Sequence, residues 1–128
     1  MKDPGDYLAY IKALIVANPH VVRWKVIRDE AQGDMGVFRY RLNLKDNSLL
    51  EMFELFKVVR ERIEVEKYSF HWQDAVGNLL KRWDNAAHHP EVVTNPHHIH
   101  DGAEENVQPH DLINAEDVLE IIALEVMA

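Results

Sequence analysis

The 128-residue sequence predicts a single α+β domain, residues 1–128, in which an antiparallel meander of about five strands is flanked by N- and C-terminal helices, with a histidine-rich loop folded across one face. Three observations predict this fold. Apolar residues recur at helical spacing near both ends of the chain, and the middle alternates apolar and polar residues. Short turn sequences join the alternating runs without intervening helices, so a parallel sheet is not expected.

The first helix is predicted at about residues 5–17. Asp3 or Asp6 can cap its N-terminus, and Pro4 suits the first turn because its nitrogen has no hydrogen to leave unpaired. Pro19 ends the helix, since a proline cannot continue the backbone hydrogen bonds.

Five runs of alternating residues predict the strands. In chain order they span residues 21–30, 37–44, 49–59, 62–73 and 79–84. In the fourth run the apolar side changes near Glu66, which predicts a β-bulge there. The large apolar residues predicted to be core in the first and fourth runs are Val22, Trp24, Tyr68, Phe70 and Trp72.

The segment 85–111 differs in kind from the rest of the chain. It contains three of the five prolines and six of the eight histidines. We expect a loop without regular structure, and long loops of this type in compact domains are usually functional or disordered. The last helix then begins near Asn114, where Asp117 three residues later is typical of a capping box.

Charge argues against a broad nucleic-acid-binding surface. Twenty-two acidic residues against fourteen basic ones give a net charge of −8, whereas binding to phosphates normally requires a basic excess. A small basic cluster can still hold one phosphate. A stripe on neighbouring strands would help a phosphate substrate if it lies on the loop's side of the sheet, and its members are Arg23, Lys25, Arg39 and Arg41.

The absence of cysteine removes disulfides, thiolate metal ligands and a cysteine nucleophile. No apolar run approaches the roughly 18 residues that a membrane span requires. The N-terminus lacks the basic and apolar segments of a signal peptide. We therefore expect a cytoplasmic protein that does not enter the membrane.

The histidine cluster favours acid–base chemistry, because imidazole gives or takes a proton near neutral pH. Metal-independent RNA cleavage needs a base for the ribose 2′-hydroxyl, an acid for the leaving oxygen and a cation for the phosphate. Two histidines would exchange the proton, and the aspartate would orient one of them. The candidate catalytic residues are His88, His97, His100 and Asp84, and the candidate phosphate-binding residues are Arg82 and Lys81.

A metal site is the alternative, in a non-catalytic module that binds a metal or a small ligand. Three imidazoles, or two with Asp84 or Glu91, would hold a divalent ion with one position open for water. No ligand spacing of known specificity is present, so this interpretation depends on composition. The candidate ligands are His88, His89, His98 and His100.

The third interpretation of the protein is a purely structural partner whose apolar surface docks a second chain, and the histidine cluster itself also has a structural interpretation. Histidines beside prolines can hydrogen-bond backbone carbonyls and hold a loop against the sheet. His71, on the fourth run, is expected either to form a hydrogen bond at the edge of the core or to join the site.

About 35 residues from Tyr68 to Gly102 resemble the TumE family of bacterial toxin–antitoxin proteins. The motifs that carry the resemblance are HWQD at 71–74, Gly77, RWDNA at 82–86, HHPE at 88–91 and PHHIH at 96–100. The resemblance implies a small cytoplasmic toxin that a helix-turn-helix antitoxin binds and silences.

Together these observations predict a toxin that acts on RNA, with endoribonuclease activity as the leading hypothesis. A homodimer is compatible with the sequence, and the leading hypothesis requires no cofactor. A divalent metal belongs only to the alternative.

Overall fold

Within residues 2–127, which the computed structural model describes, the chain forms two helices and seven strands. In chain order they are α1 (Pro4–Ala17), β1 (Val21–Gln32), β2 (Met35–Leu44), β3 (Leu49–Val59), β4 (Arg62–Gln73), β5 (Leu79–Asp84), β6 (His98–Asp101), β7 (Val107–Pro109) and α2 (Ala115–Met127). The strands form one open antiparallel sheet in which each strand pairs with the next. The predicted α+β meander with flanking helices is confirmed, but the sheet has seven strands rather than about five.

Reciprocal side-chain caps begin both helices. At α1 the Asp3 carboxylate accepts the Asp6 backbone N–H at 2.9 Å, and the Asp6 carboxylate accepts the Asp3 N–H at 3.3 Å. At α2 the Asn114 side chain accepts the Asp117 N–H at 2.9 Å, and Asp117 accepts the Asn114 N–H at 3.3 Å. Each pair satisfies backbone donors that the first helical turn leaves free, so both predicted helix starts are confirmed.

Both helices pack on one side of the sheet, which we call the helix face. Its strand residues alternate along each strand and include Phe38, Tyr40, Leu42, Leu50, Met52, Phe56, Phe70, Trp72 and Trp83, all at most 4% exposed. The intervening residues point to the other side, which we call the open face, and they include Arg39, Arg41, Glu51, Phe53, His71, Arg82 and Asp84. Neither α1 nor α2 covers the open face.

The predicted bulge in β4 is confirmed. Pairing between β3 and β4 passes from Leu55 with Lys67 to Phe56 with Val65, which leaves Glu66 as an extra residue in β4. An extra residue moves later side chains to the opposite face. For this reason Tyr68, Phe70 and Trp72 reach the core, as predicted.

The prediction of a core position for Val22 is wrong. Trp24 packs edge-on against Tyr40 with ring centroids 5.4 Å apart, but Val22 is 63% exposed. The pairing register shifts between Val21 and Arg23, so Val22 occupies an irregular position and does not follow the alternation of the strand.

The prediction of a structureless segment 85–111 is also wrong, because it contains β6 and β7. β6 pairs with β5 from Asp84 opposite His98 to Lys81 opposite Asp101. These strands are four and three residues long, and in β6 the two polar histidines on one side are as buried as Ile99 on the other. Histidine therefore fills buried positions that hydropathy alone would not mark.

None of the helices within residues 2–127 is long and apolar enough to cross a membrane.

Candidate functional site

A row of polar residues crosses the open face from β1 to β6. Each member is paired across strands with the next, and in order they are Lys25, Arg41, Glu51, His71, Arg82 and His100. Residues that lie directly opposite each other in an antiparallel pair share a face and are neighbours. The pairing register thus brings together side chains that are far apart in sequence.

A second row runs beside the first. Its members, again each paired with the next, are Arg28, Arg39, Phe53, Ser69, Asp84 and His98. The Arg39 guanidinium lies 4.6 Å from the centroid of the Phe53 ring, a cation–π contact that holds the arginine over the sheet. The two rows form the floor of a polar surface.

A pocket of about 490 Å³ lies on this floor. Arg39 and Glu51 line one side, Arg82 and Asp84 line the other, and His71 lies between them on β4. Lys67 of β4 and the exposed His88, from the segment that follows β5, also line it. The pocket therefore combines two imidazoles with two guanidinium groups, one lysine and two carboxylates.

Glu51 separates the two arginines of β2. Its carboxylate accepts hydrogen bonds from Arg39 at 2.8 Å and from Arg41 at 3.3 Å. Partial burial raises the pKa of Glu51, but the bonds from both arginines outweigh burial, so the pKa lies below its ordinary value. Glu51 is therefore charged at neutral pH and offsets part of the positive charge of this side of the pocket.

Arg82 is held in place by three neighbours at the other side. Its Nε donates to Asp84 Oδ2 at 3.2 Å, its Nη1 lies 2.8 Å from Glu104 Oε2, and its Nη2 lies 3.0 Å from His100 Nε2. About a quarter of its side chain remains exposed, at 27%. A fixed and partly exposed guanidinium is suited to binding a phosphate.

His98 and His100 lie beneath this arginine and are almost completely buried, at 2% and 3% exposure. His98 Nδ1 lies 2.9 Å from the Pro96 carbonyl, and His100 Nδ1 lies 2.8 Å from the Glu104 carbonyl. Burial lowers the pKa of His100, and the charge of Arg82 lowers it further although Glu104 and Asp84 oppose this.

The same two rings meet Asp84 and His89 on their other side. The Nε2 atoms of His98 and His100 are 3.1 Å apart, and Asp84 Oδ1 lies 3.0 Å from His98 Nε2. His89 approaches both rings with centroid distances of 4.9 and 5.5 Å. One nitrogen from each of the three rings lies within 4.8 Å of the others, a spacing at which they can hold a metal ion.

The structure brings only some of the predicted catalytic and phosphate-binding residues into the pocket. His88, Arg82 and Asp84 line it, and His100 lies buried against Arg82 and Asp84. His97 lies elsewhere, because its Nδ1 is 2.8 Å from the hydroxyl of Tyr68 and its ring stacks on that residue. Tyr68 is buried on the helix face, where burial raises its pKa.

Lys81 and Arg82 are adjacent in sequence but point to opposite faces of β5. Lys81 forms an ion pair with Glu125 of α2 on the helix face, whereas Arg82 lies on the open face. The structure therefore separates the two predicted phosphate ligands.

The sequence predicted only some of the residues that line the Arg39 side of the pocket. His71 lines the pocket. The basic stripe of Arg23, Lys25, Arg39 and Arg41 lies on the same face as Arg82, which is the condition under which it was expected to help a phosphate substrate. Glu51 was missed, since no motif surrounds it. Its only signal is the register of β3 with β4, which places it opposite His71.

The fold and the pocket define an α+β protein with an open antiparallel sheet and an arginine- and histidine-lined candidate active site on the uncovered face. A family model described as toxin TumE matches residues 11–127, so the chain belongs to the TumE toxin family. Membership implies a toxin of a toxin–antitoxin system and hence an antitoxin partner. Comparisons with curated proteins and with solved structures gave no match.

Proposed function

We propose that this toxin cleaves RNA in the open-face pocket by histidine acid–base catalysis, in the cytoplasm, where translated RNA is found. The observation that carries the proposal is the convergence of His71, His88 and Arg82 in one accessible pocket. RNA cleavage of this type requires an imidazole base, an imidazole acid and a cation for the phosphate.

The reaction needs no group beyond these side chains. A neutral imidazole removes the proton of the ribose 2′-hydroxyl, and the 2′-oxygen attacks the neighbouring phosphorus. The bond from phosphorus to the 5′-oxygen breaks, and the second imidazole, which starts protonated, gives its proton to that oxygen. The products are a 2′,3′-cyclic phosphate and a 5′-hydroxyl, and Arg82 stabilises the negative charge of the transition state.

Accessibility favours His71 and His88 for proton transfer. His88 is exposed and His71 is half-buried, whereas His100 is buried and both of its ring nitrogens have neighbours within 3.0 Å. Asp84 lies 3.0 Å from His98 and 3.2 Å from the Arg82 Nε, which suits a positioning residue. The roles predicted for His97 and His100 stay predictions.

The distribution of charge reconciles an acidic chain with an RNA substrate. The α2 helix carries Glu116, Asp117, Glu120 and Glu125 and no basic residue. This helix lies on the helix face, whereas the open face carries the basic stripe of Arg23, Lys25, Arg39 and Arg41. Since screening limits charge effects to about 10 Å at ordinary salt, the local positive charge decides whether a phosphate binds.

We expect the antitoxin to be the helix-turn-helix protein that the family resemblance implies. This antitoxin would silence the toxin by covering the open face. A homodimer stays an expectation.

The test is expression of the chain in bacteria that lack an antitoxin, followed by growth measurement and RNA analysis. Wild-type protein should arrest growth and produce RNA fragments that end in 2′,3′-cyclic phosphates. His71→Ala and His88→Ala should abolish fragmentation, whereas His20→Ala, which lies beside α1 and away from the pocket, should not. Immunoblots would verify equal expression.

Growth arrest with intact RNA would retain the toxin and reject the nuclease. Fragmentation that survives in the double variant His71→Ala/His88→Ala would reject the proposed catalytic pair. Well-expressed wild-type protein that neither arrests growth nor cleaves RNA would contradict the whole proposal.

A further inference from the structure

We propose that His89, His98 and His100 bind a divalent zinc ion, with Asp84 as the fourth ligand. The three ring nitrogens already lie within 4.8 Å of one another. The cluster adjoins the pocket at Asp84 and Arg82, but the proposal does not depend on RNA cleavage, since it concerns binding alone.

The proton positions in two of the rings carry the argument. A carbonyl oxygen only accepts hydrogen bonds, so the Nδ1 atoms of His98 and His100, at 2.9 and 2.8 Å from the Pro96 and Glu104 carbonyls, must carry the hydrogens. In neutral rings the Nε2 atoms then present lone pairs. Imidazoles that bind metals typically donate their second N–H to a carbonyl or carboxylate, which fixes the ring in this way.

The two lone pairs face each other at short range. The Nε2 atoms are 3.1 Å apart, and Asp84 Oδ1 lies 3.0 Å from His98 Nε2. Three electron-rich atoms so close together repel one another unless a positive charge lies between them. Two nitrogens bound at about 2.0–2.1 Å to one tetrahedral zinc ion are about 3.3 Å apart, so the observed spacing is close to that of a shared ion.

The chemistry of the set also favours zinc. Three imidazoles and one carboxylate are nitrogen and oxygen donors of the kind that zinc binds. His98 and His100 are buried and Asp84 is 8% exposed, so bulk water has little access to the atoms that would bind the metal ion. His89 lies in the segment between β5 and β6 and packs against the other two rings. Its Nδ1 is 3.0 Å from Glu91 Oε1.

Arg82 is the competitor for the same lone pair. Its Nη2 lies 3.0 Å from His100 Nε2, so a metal ion must displace that contact. Glu104, 2.8 Å from Nη1, can retain the guanidinium when it turns away. Removing the arginine charge should therefore strengthen metal binding.

The test uses the full chain, stripped with a chelator and titrated with Zn²⁺ by calorimetry and with Co²⁺ by absorption spectroscopy. We expect one ion per chain and the intense visible absorption of four-coordinate Co²⁺. His89→Ala and His98→Ala should weaken binding by about 100-fold or more, and Arg82→Gln should strengthen it.

The neighbouring histidines supply matched controls. His88→Ala and His97→Ala change the residues directly before His89 and His98 but lie outside the cluster, so binding should stay within about threefold of wild type. If circular dichroism shows that the His98→Ala variant does not fold, the His89→Ala variant, at a half-buried position, still tests the proposal.

The proposal is overturned if wild-type protein binds no stoichiometric Zn²⁺, as expected when His98 Nε2 simply pairs with the Asp84 carboxylate, 3.0 Å away. Equal losses in the control and cluster variants would also overturn it. Since binding is measured without RNA, failure here leaves the nuclease proposal untouched, and the reverse also holds.

Discussion

The two faces of one sheet differ in composition although the same strands build both. Among the residues that the structure describes, the helix face contains a single buried carboxyl group, that of Glu54, at 0% exposure among apolar residues. The open face carries two rows of arginine, histidine and carboxylate side chains. The comparison indicates that one set of alternate residues provides stability and that the other set is free to carry chemistry.

Glu54 is the exception to the apolar character of the helix face, and it links the two helices to the sheet. It accepts a hydrogen bond from the Tyr7 hydroxyl of α1 at 2.6 Å and another from the Ala115 N–H at the start of α2 at 2.8 Å. A carboxylate at a helix N-terminus satisfies free backbone donors and interacts favourably with the helix dipole. One buried carboxyl group thus ties both helices to β3.

The sharpest contrast between the faces should come from two phenylalanines. Phe70 is completely buried on the helix face, and Phe53 is half-buried on the open face. Phe70→Ala should lower the free energy of unfolding by about 3–5 kcal/mol, because it leaves a cavity. Phe53→Ala should cost clearly less. Urea denaturation measures both, and equal losses would mean that the open face is also part of the core.

Arg82 and Lys81 test whether activity belongs to the open face alone. Arg82→Ala should lower the rate of RNA cleavage about 10²–10³-fold, the usual effect of losing one transition-state contact. Lys81→Ala removes the same charge from the other face and should leave the rate unchanged. Cleavage of a short RNA by purified protein measures this. Equal effects would show that net charge, rather than the pocket, governs activity.

Glu54 should make the stability of the helix face depend on pH. Burial raises its pKa to about 7, although the bonds from Tyr7 and Ala115 oppose this rise. Between its unfolded pKa of about 4.3 and the folded value, the native state holds the extra proton, so stability falls as pH rises through this window. The expected change from about pH 5 to about pH 8 is on the order of 2 kcal/mol.

Glu54→Gln should remove this dependence, since the amide does not titrate and the Tyr7 hydroxyl can rotate to meet it. Urea denaturation at several pH values would compare the two proteins. An unchanged pH slope in Glu54→Gln would assign the dependence to other groups.

The smallest expected effect concerns the charge of the open face. Glu51→Gln removes the carboxylate that accepts from Arg39 and Arg41, so RNA should bind about two- to fivefold more tightly at low salt. Glu120→Gln makes the same change on the exposed side of α2. Fluorescence anisotropy with a short single-stranded RNA measures both, and equal tightening would point to net charge alone.

The sequence alone was sufficient for the elements that local patterns control. Capping residues, the proline after α1 and the period-two alternation predicted both helices and the first five strands. The face change near Glu66 predicted the bulge. These features depend on residues close together in the chain, so local physics fixes them.

Short strands and the membership of the site needed tertiary structure. β6 and β7 are too short to show a period, and their stability depends on pairing with β5 and with each other. Likewise, the sequence singled out Arg82, Asp84 and His88 but missed Glu51, because its place beside His71 follows only from the register of β3 with β4.

For this protein the sequence by itself determined the α+β class, the family and the residue types available for chemistry. Tertiary structure decided which of the clustered histidines are exposed, which are buried against Asp84, and which, like His97, face Tyr68 instead. The physical reason is that alternation fixes the side of a strand on which a residue lies, whereas cross-strand register fixes its neighbours. Register is a property of the folded sheet.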